Sequence, residues 1–105
     1  MSGMAGIHAA LMNDVERAHS SLLNARALVQ QRQHEHQWAL DGENIARGIR
    51  DRNRNREDLE DQYYTARNEQ LDARDRLRQA EQEENRKQQE HDDAVRALNA
   101  FQANQ

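Results

Sequence analysis

The chain contains no cysteine and no proline, and only 4% of its 105 residues are aromatic. Without cysteine it forms no disulfide and offers no thiolate ligand to a metal. Without proline, and with glycine only at positions 3, 6, 42 and 48, long segments lack any residue that breaks a helix. Hydrophobic residues make up 35% and charged residues 32%, which is too polar for a globular core but sufficient for a coiled coil.

No apolar run approaches the roughly 18 residues that a membrane span requires. The N-terminal residues 1–7 also lack the basic segment and long apolar stretch of a secretory signal. We therefore expect a cytoplasmic protein without membrane insertion. A specialised export signal at the N-terminus stays open, because this pattern would not reveal it.

A heptad repeat runs without interruption through the second half of the chain. Its unbroken 4-3 spacing defines the second seam, which comprises Ile45, Ile49, Arg52, Arg56, Leu59, Tyr63, Ala66, Gln70, Ala73, Leu77, Ala80, Glu84, Lys87, His91, Ala94, Leu98 and Phe101. A 3.5-residue repeat keeps one side of a helix against a partner helix, so the pattern predicts a coiled coil. The polar residues Glu84, Lys87 and His91 predict a loosely held middle, or one completed by another protein.

An earlier repeat, the first seam, comprises Leu11, Val15, Ala18, Leu22, Ala25, Val29, Arg32, His36 and Ala39. Its heptads would continue to Glu43 and Ala46, whereas the second seam uses Ile45. This shift by one residue predicts a stutter or a turn. Two positions could hold a turn: residues 41–44, where Gly42 would end a helix, and residues 50–56, where Asn and Asp alternate with Arg.

Matching arm lengths favour the turn at residues 50–56, with Gly42 as a local kink and the 41–44 turn as the alternative. The predicted fold is therefore all-α, with two long helices in an antiparallel coiled-coil hairpin. We expect a single domain in which residues 1–6 are flexible, 7–49 form the first arm, 50–56 the basic turn and 57–104 the second arm. This pairing would place Ile45 and Ile49 beside Tyr63 and Leu59.

Five arginines lie within ten residues at the predicted turn: Arg47, Arg50, Arg52, Arg54 and Arg56. Guanidinium groups bind carboxylates and phosphates, so this run is either a solvated charged turn or a protein-docking tip. A net charge of −4 and the lack of a nearby aromatic platform disfavour nucleic acid as its partner.

Trp38 is the most unusual single residue, because it lies outside the first seam. One interpretation joins it to Tyr63 and Tyr64 in an aromatic cluster near the tip of the hairpin. The other makes it an exposed anchor for a protein partner, since Trp and Arg are frequent interface hot spots.

Catalytic, cofactor and metal sites are not predicted. Carboxylate pairs such as Asp92-Asp93 catalyse only inside a shaped, partly dry cleft, which a two-helix rod does not provide. The histidines lack ligand spacing, since His34 and His36 lie two residues apart and face different ways on a helix. We expect a protein that is not an enzyme, with no cofactor and no metal. His36 and His91 occupy seam positions of the two predicted arms.

An antiparallel two-helix rod rich in Glu, Arg and Gln resembles the stalk proteins of type III secretion, the YscO family and its flagellar counterpart FliJ. The resemblance covers residues 11–45 and is carried by Val15-Glu-Arg-Ala18 and by the Trp-containing segment 36–43. Family members are usually longer and often begin with a basic segment that this chain lacks. The resemblance implies a rod that docks on a hexameric export ATPase or on secretion chaperones, with Val15, Glu16, Arg17 and Trp38 as contact residues.

The sequence thus predicts a coiled-coil adaptor or stalk protein that acts through protein–protein contacts, and the resemblance implies a place in a bacterial type III secretion apparatus. The alternative is a self-assembling scaffold of phage or filament type, in which the chain forms a homo-oligomer. A nucleic-acid accessory protein that uses the arginine run ranks below both.

Overall fold

A computed structural model describes residues 2–105 of the chain, with side chains from residue 3 onward. The chain forms two α-helices, α1 from Ser2–Arg52 and α2 from Glu57–Ala103, and no strand occurs in this part of the chain. The predicted all-α helical hairpin is confirmed. Helix α1 begins at Ser2 and thus includes residues 2–6, which precede the predicted first arm; residue 1 lies outside the described residues.

The turn between the helices occupies residues 53–56, within the segment predicted from the sequence. Asn55 adopts a left-handed conformation with φ of 76°, which Asn tolerates better than most residues. The Asn53 side-chain amide donates to the Ile49 carbonyl at 2.9 Å and so satisfies an acceptor at the end of α1. Acidic residues fill the first turn of α2 and arginines the last turn of α1, as the helix dipoles favour.

Helix α1 continues without a break through residues 41–44, so the alternative turn at this position is wrong. Gly42 costs a helix only about 1 kcal/mol relative to alanine. A turn there would leave the seam residues that follow it without the helix they pack against, and this loss outweighs the glycine penalty. Gly42 lies on the exposed side of α1, where an added Cβ would meet nothing within 4 Å.

The contacts of the chain divide into two compact units. Unit 1 combines Met1–Ala27 with Glu81–Gln105, and unit 2 comprises Leu28–Ala80. Within each unit the helices run antiparallel: in unit 1 the ring of His8 stacks on Phe101 and that of His19 lies near His91. Each unit is therefore a short helix pair with its own core.

Burial confirms both seams over most of their length. Every member of the first seam is buried or half-buried, as is every member of the second seam from Leu59 to Phe101. Unit 2 contains most of the buried positions: Val29, Glu43, Leu59, Tyr63, Gln70, Ala73 and Ala80. Unit 1 contributes Leu22, which is 2% exposed, and Ala25.

The predicted start of the second seam is wrong, because Ile45, Ile49, Arg52 and Arg56 do not enter the helix–helix interface. The first seam instead continues in register to Glu43, which is 7% exposed, and to Ala46, which is half-buried. Since α1 is unbroken at Gly42, the phase set by Leu22 and Val29 is carried through to the turn. Ile45 is left 63% exposed and does not pack beside Tyr63.

None of the described helices is both long and apolar enough to cross a membrane.

Candidate functional site

A stripe of apolar residues lies exposed on the outer face of α1 in unit 2. Trp38 is 81% exposed, Ile45 is 63% exposed and Ile49 is 37% exposed. They follow one another at spacings of seven and four residues, which places them on one side of a helix. Gly42 falls between Trp38 and Ile45 on the same side, and we call these four residues the outer stripe.

The outer stripe is separate from the face of α1 that packs against α2. The inward face at this level is formed by Ala39, Glu43 and Ala46. Each helical residue turns by about 100° from the last, so a residue that precedes or follows an inward position by one is already rotated off the seam. This half of α1 therefore has two apolar faces, of which the hairpin covers one.

An exposed tryptophan with two isoleucines on one helix face is unusual in a chain of this polarity. Single exposed apolar residues are common on protein surfaces, whereas a contiguous apolar patch points to an interaction site. Large rigid side chains such as Trp contribute most of the binding energy at interfaces. Helix α1 presents the three side chains on a regular backbone, so the patch is preorganised.

The predicted aromatic cluster of Trp38 with Tyr63 and Tyr64 is wrong. Tyr63 is buried and its ring contacts Tyr64 with centroids 5.4 Å apart, while Trp38 is exposed to solvent. The Tyr63 ring is covered instead by two guanidinium groups, Arg50 at 4.0 Å and Arg47 at 5.7 Å from the ring centroid. Cation–π contacts of this kind hold a charged group over an aromatic face, so the arginines do the packing that the sequence assigned to Ile45 and Ile49.

A buried carboxylate completes this arrangement near the turn. The Arg47 Nη2 atom lies 3.1 Å from Oε1 of Glu43, whose side chain is almost fully covered. Hydrogen bonding to Tyr63, with a smaller contribution from Glu43, raises the pKa of Arg47. A buried charge is tolerated only when it is paired, so Arg47 explains how Glu43 can occupy a seam position.

The other arginines of the run are also engaged within the chain. Arg50 pairs with Asp51 at 3.2 Å, and the Arg52 Nε donates to the Gly48 carbonyl at 3.1 Å. Arg56 binds both carboxylate oxygens of the acidic residue at position 58, at 3.2 and 2.7 Å. Of the five, only Arg54 makes no hydrogen bond or ion pair within the part of the chain that the structure describes.

The concave surface at the turn has mixed charge. Acidic Asp51, Glu57 and Glu60 line it together with Arg50, Arg54 and Arg56. Carboxylates close to guanidinium groups offset the positive potential that would attract a phosphate backbone. The acidic and basic side chains of the turn therefore largely offset one another's charge.

The second group of predicted contact residues lies in unit 1. Val15 is half-buried as a member of the first seam, while Glu16 and Arg17 are exposed. Arg17 pairs with Asp14 at 3.2 Å, with both side chains largely in solvent, and such pairs contribute little to stability. Glu16 and Arg17 also line a shallow polar groove on α1 with Asn13, Ser20, Ser21 and Asn24. The structure thus divides the predicted site residues between two units.

Several histidines contact α2. The His36 Nε2 atom lies 2.9 Å from the Gln70 Nε2 atom, and the rings of His19 and His91 lie 5.6 Å apart between centroids. The Nδ1 atom of His91 is buried and makes no hydrogen bond. Within residues 2–105, no group of three or more His, Cys, Asp or Glu side chains could hold a metal ion.

Sequence reasoning selected Trp38 but missed the face to which it belongs. It assigned Ile45 and Ile49 to the interface with α2, because they continue the 4-3 spacing of α2 backward across the turn. A usable signal was present in the first seam, whose own heptads reach Glu43 and Ala46. Two overlapping heptad patterns on one helix indicate two faces.

Comparisons with protein-family models, with curated proteins and with solved structures found no significant match.

Proposed function

We propose that this protein is a non-enzymatic coiled-coil adaptor that acts through protein–protein contacts, and that the outer stripe is its main binding surface. The observation that carries this proposal is the exposure of Trp38, Ile45 and Ile49 on one face of α1, to the side of the seam. A helix face of this kind is suited to a partner helix, which would bury the three side chains against its own apolar residues.

The chemistry of the remaining surface supports a binding role over a catalytic one. Charged side chains are exposed and paired mainly with neighbours on their own helix, as in Arg17–Asp14 and Arg96–Asp93. Such solvent-exposed pairs do not create a low-dielectric cleft in which an acid or a base would be activated.

Within this class, we assign the protein to a cytoplasmic stalk or escort role in a bacterial type III secretion apparatus, where it would engage the export ATPase or secretion chaperones. The support is the helical hairpin, the segment Val15-Glu-Arg-Ala18 and the segment around Trp38, which resemble the YscO and FliJ stalk proteins. Glu16 and Arg17 are exposed and accessible to a partner, whereas Val15 would act by positioning the helix.

A self-assembling scaffold is the second candidate, and the exposed Ile45 and Ile49 favour it. In that case the outer stripe would be covered by other copies of the chain and would have no separate partner. Both candidates use the same surface, so they differ in what occupies it.

A co-purification experiment tests the proposed function. The tagged chain is expressed in a bacterium that carries a type III secretion system, and the bound export ATPase is quantified by mass spectrometry. We expect Trp38→Ala/Ile45→Ala to reduce the captured ATPase at least about tenfold, because a hot-spot side chain is worth about 2 kcal/mol or more. Leu23→Ala, which removes an exposed apolar side chain outside the outer stripe, should leave capture unchanged.

Circular dichroism should show unchanged helicity in all three proteins, since neither substitution touches the seam. Equal capture by wild type and by the stripe variant would contradict the proposed binding surface. Absence of the ATPase from wild-type eluates would contradict the secretion role and leave the surface assignment to be judged on self-association.

A further inference from the structure

The outer stripe belongs to a longer pattern that reads symmetrically in both directions. With its two flanking charges it comprises Glu35, Trp38, Gly42, Ile45, Ile49 and Arg52, at successive spacings of three, four, three, four and three residues. The midpoint of this set lies between Glu43 and Asn44. Around it, an acidic residue mirrors a basic one, a large apolar residue mirrors another, and glycine mirrors isoleucine.

From this symmetry we propose that the outer stripe binds a second copy of the same chain, with the two α1 helices packed antiparallel about the midpoint of the stripe. This inference rests on the proposed function, in that it takes the outer stripe to be a protein-binding surface. In the antiparallel pair, Trp38 of each copy packs on Ile49 of the other. A two-fold axis repeats each contact, as in most homodimers.

Gly42 supplies a space that the opposing Ile45 fills. Because Gly42 has no side chain, the row of side chains along the outer stripe has a gap here, which we call the notch, and a Cβ added there would meet nothing within 4 Å. Two helices approach more closely where one carries a small residue opposite a larger one. The mirror relation of positions 42 and 45 brings each isoleucine over the notch of the partner copy.

The flanking charges fix the direction of the pair. In the antiparallel arrangement each Glu35 meets Arg52 of the other copy, which gives two attractive contacts. In a parallel arrangement Glu35 would face Glu35 and Arg52 would face Arg52, and like charges at these positions oppose association. The Glu35 carboxylate also pairs with Arg32 of its own helix at 2.8 Å, and this hydrogen bond is the main cause that lowers the pKa of Glu35.

The size of the surface implies a weak, exchangeable dimer. Residues 35–52 span about 26 Å along a helix at a rise of 1.5 Å per residue. One helix face of this length buries less than the roughly 1,200 Å² of a standard stable interface. We therefore expect a dissociation constant of roughly 10–100 µM. A dimer of this strength lets another partner compete for the same stripe.

A second copy fits the pattern better than an unrelated helix does. A partner of different sequence requires only an apolar stripe and gains nothing from mirror symmetry. Here three independent pairs of positions are complementary about one midpoint, and all six residues lie within unit 2.

A charge-reversal cycle tests the proposal by sedimentation equilibrium from about 1 µM to about 1 mM chain, a range that brackets the expected affinity. Glu35→Arg places like charges together twice in each dimer, and Arg52→Glu does the same with the opposite sign. Each single variant should weaken the dimer about tenfold. The double variant restores both opposite-charge contacts and should return to within about threefold of wild type.

Trp38→Ala should leave the chain monomeric over this range, while Leu23→Ala should dimerise as the wild type does. Because the chain has no cysteine of its own, single-cysteine variants report direction. A mixture of Trp38→Cys and Ile49→Cys chains should form a disulfide heterodimer in preference to either homodimer. Far-ultraviolet circular dichroism confirms that each variant remains helical.

A wild-type chain that is monomeric at the highest concentration would overturn the self-association. So would a dimer that persists in Trp38→Ala, or one that the double charge reversal fails to restore. If the chain is monomeric but Trp38→Ala/Ile45→Ala still loses the ATPase, the outer stripe binds a foreign partner and the proposed function stands. If the chain is monomeric and ATPase capture is the same for wild type and for Trp38→Ala/Ile45→Ala, both proposals fail.

Discussion

Unit 1 and unit 2 are built from the same two helices, yet they differ in how the seam is filled and in what remains exposed. Unit 2 combines a largely buried seam, which begins beside the turn with Leu59 and Tyr63, with an apolar outer face. In unit 1 the seam is half-buried around Glu84, Lys87 and His91. Only Leu22 and Ala25 in unit 1 are fully covered among the described residues.

The difference shows that the apolar residues of α1 can form both the core of the hairpin and an exposed face. In unit 2 the seam can include the buried Glu43 because Arg47 pairs with it. The large apolar residues Trp38 and Ile45 lie outside the seam, on the outer face. In unit 1 the polar seam residues fix register at the expense of stability. We therefore expect the stability of the hairpin to depend mainly on unit 2.

The largest expected effect is the loss of Tyr63. Replacement by alanine removes a buried ring together with the platform for the Arg50 and Arg47 guanidinium groups. We expect Tyr63→Ala to lower the free energy of unfolding by about 3 kcal/mol, as for other buried aromatic residues. Urea denaturation followed by circular dichroism measures this change.

Tyr63→Phe is the matched control, because it keeps the ring and removes only the hydroxyl group. We expect it to lower the free energy of unfolding by less than about 1 kcal/mol. Equal losses for both substitutions would mean that the hydroxyl, and not the ring, stabilises unit 2.

An intermediate effect should follow from filling the seam of unit 1. Lys87 occupies a half-buried seam position, where a leucine would add apolar burial and remove the desolvation of an ammonium group. We expect Lys87→Leu to raise the free energy of unfolding by about 1 kcal/mol. Lys87→Gln, which removes the charge without adding an apolar group, separates the two contributions.

A decrease in stability for Lys87→Leu would contradict the comparison of the two units. It would show that the contacts of the Lys87 ammonium with Glu83 and Glu90, at 4.0 and 3.3 Å, stabilise the hairpin more than an apolar side chain at this seam position does.

The smallest expected effect is a pH dependence at the turn. Hydrogen bonding from Arg56, the main cause, lowers the pKa of Asp58 below its ordinary value. Its contribution to stability is therefore fully present above the unfolded-state pKa of about 4 and is lost as the pH falls through the lower folded-state pKa. Because Asp58 is exposed, we expect only a slight loss of stability between about pH 4 and pH 2.

Urea denaturation of wild type and Asp58→Asn across this range measures the difference attributable to Asp58. The gap between the two proteins should close as the pH falls. A gap that is constant with pH would indicate that Asp58 acts through contacts that do not depend on its charge.

The sequence predicts the helices and the turn well, because local spacing and turn residues determine both. Arginine is a good helix former and proline is absent, so the composition favours long helices. The outer face was missed at Ile45 and Ile49, since apolar residues in a heptad are expected to be buried. Burial of Glu43 in their place depends on the Arg47 side chain, and such a tertiary pairing cannot be read from spacing.

Trp38 illustrates the same limit at a single position. Its offset from the first seam is visible in the sequence, and this offset alone indicates exposure. The rival interpretation as an aromatic cluster required knowing whether the Tyr63 ring was already covered. Only the positions of Arg47 and Arg50 decide that question.

The four-residue turn at 53–56 also determines how the hairpin depends on dilution. While the backbone is intact, each arm meets its partner at the high effective concentration that a short connection imposes. Arg54 is exposed in this non-helical segment, so a trypsin-like protease should cut there before it cuts within the helices. After that single cleavage, α1 and α2 would be separate chains held together by the seam alone. The intact hairpin folds independently of protein concentration, whereas the cleaved protein would dissociate on dilution.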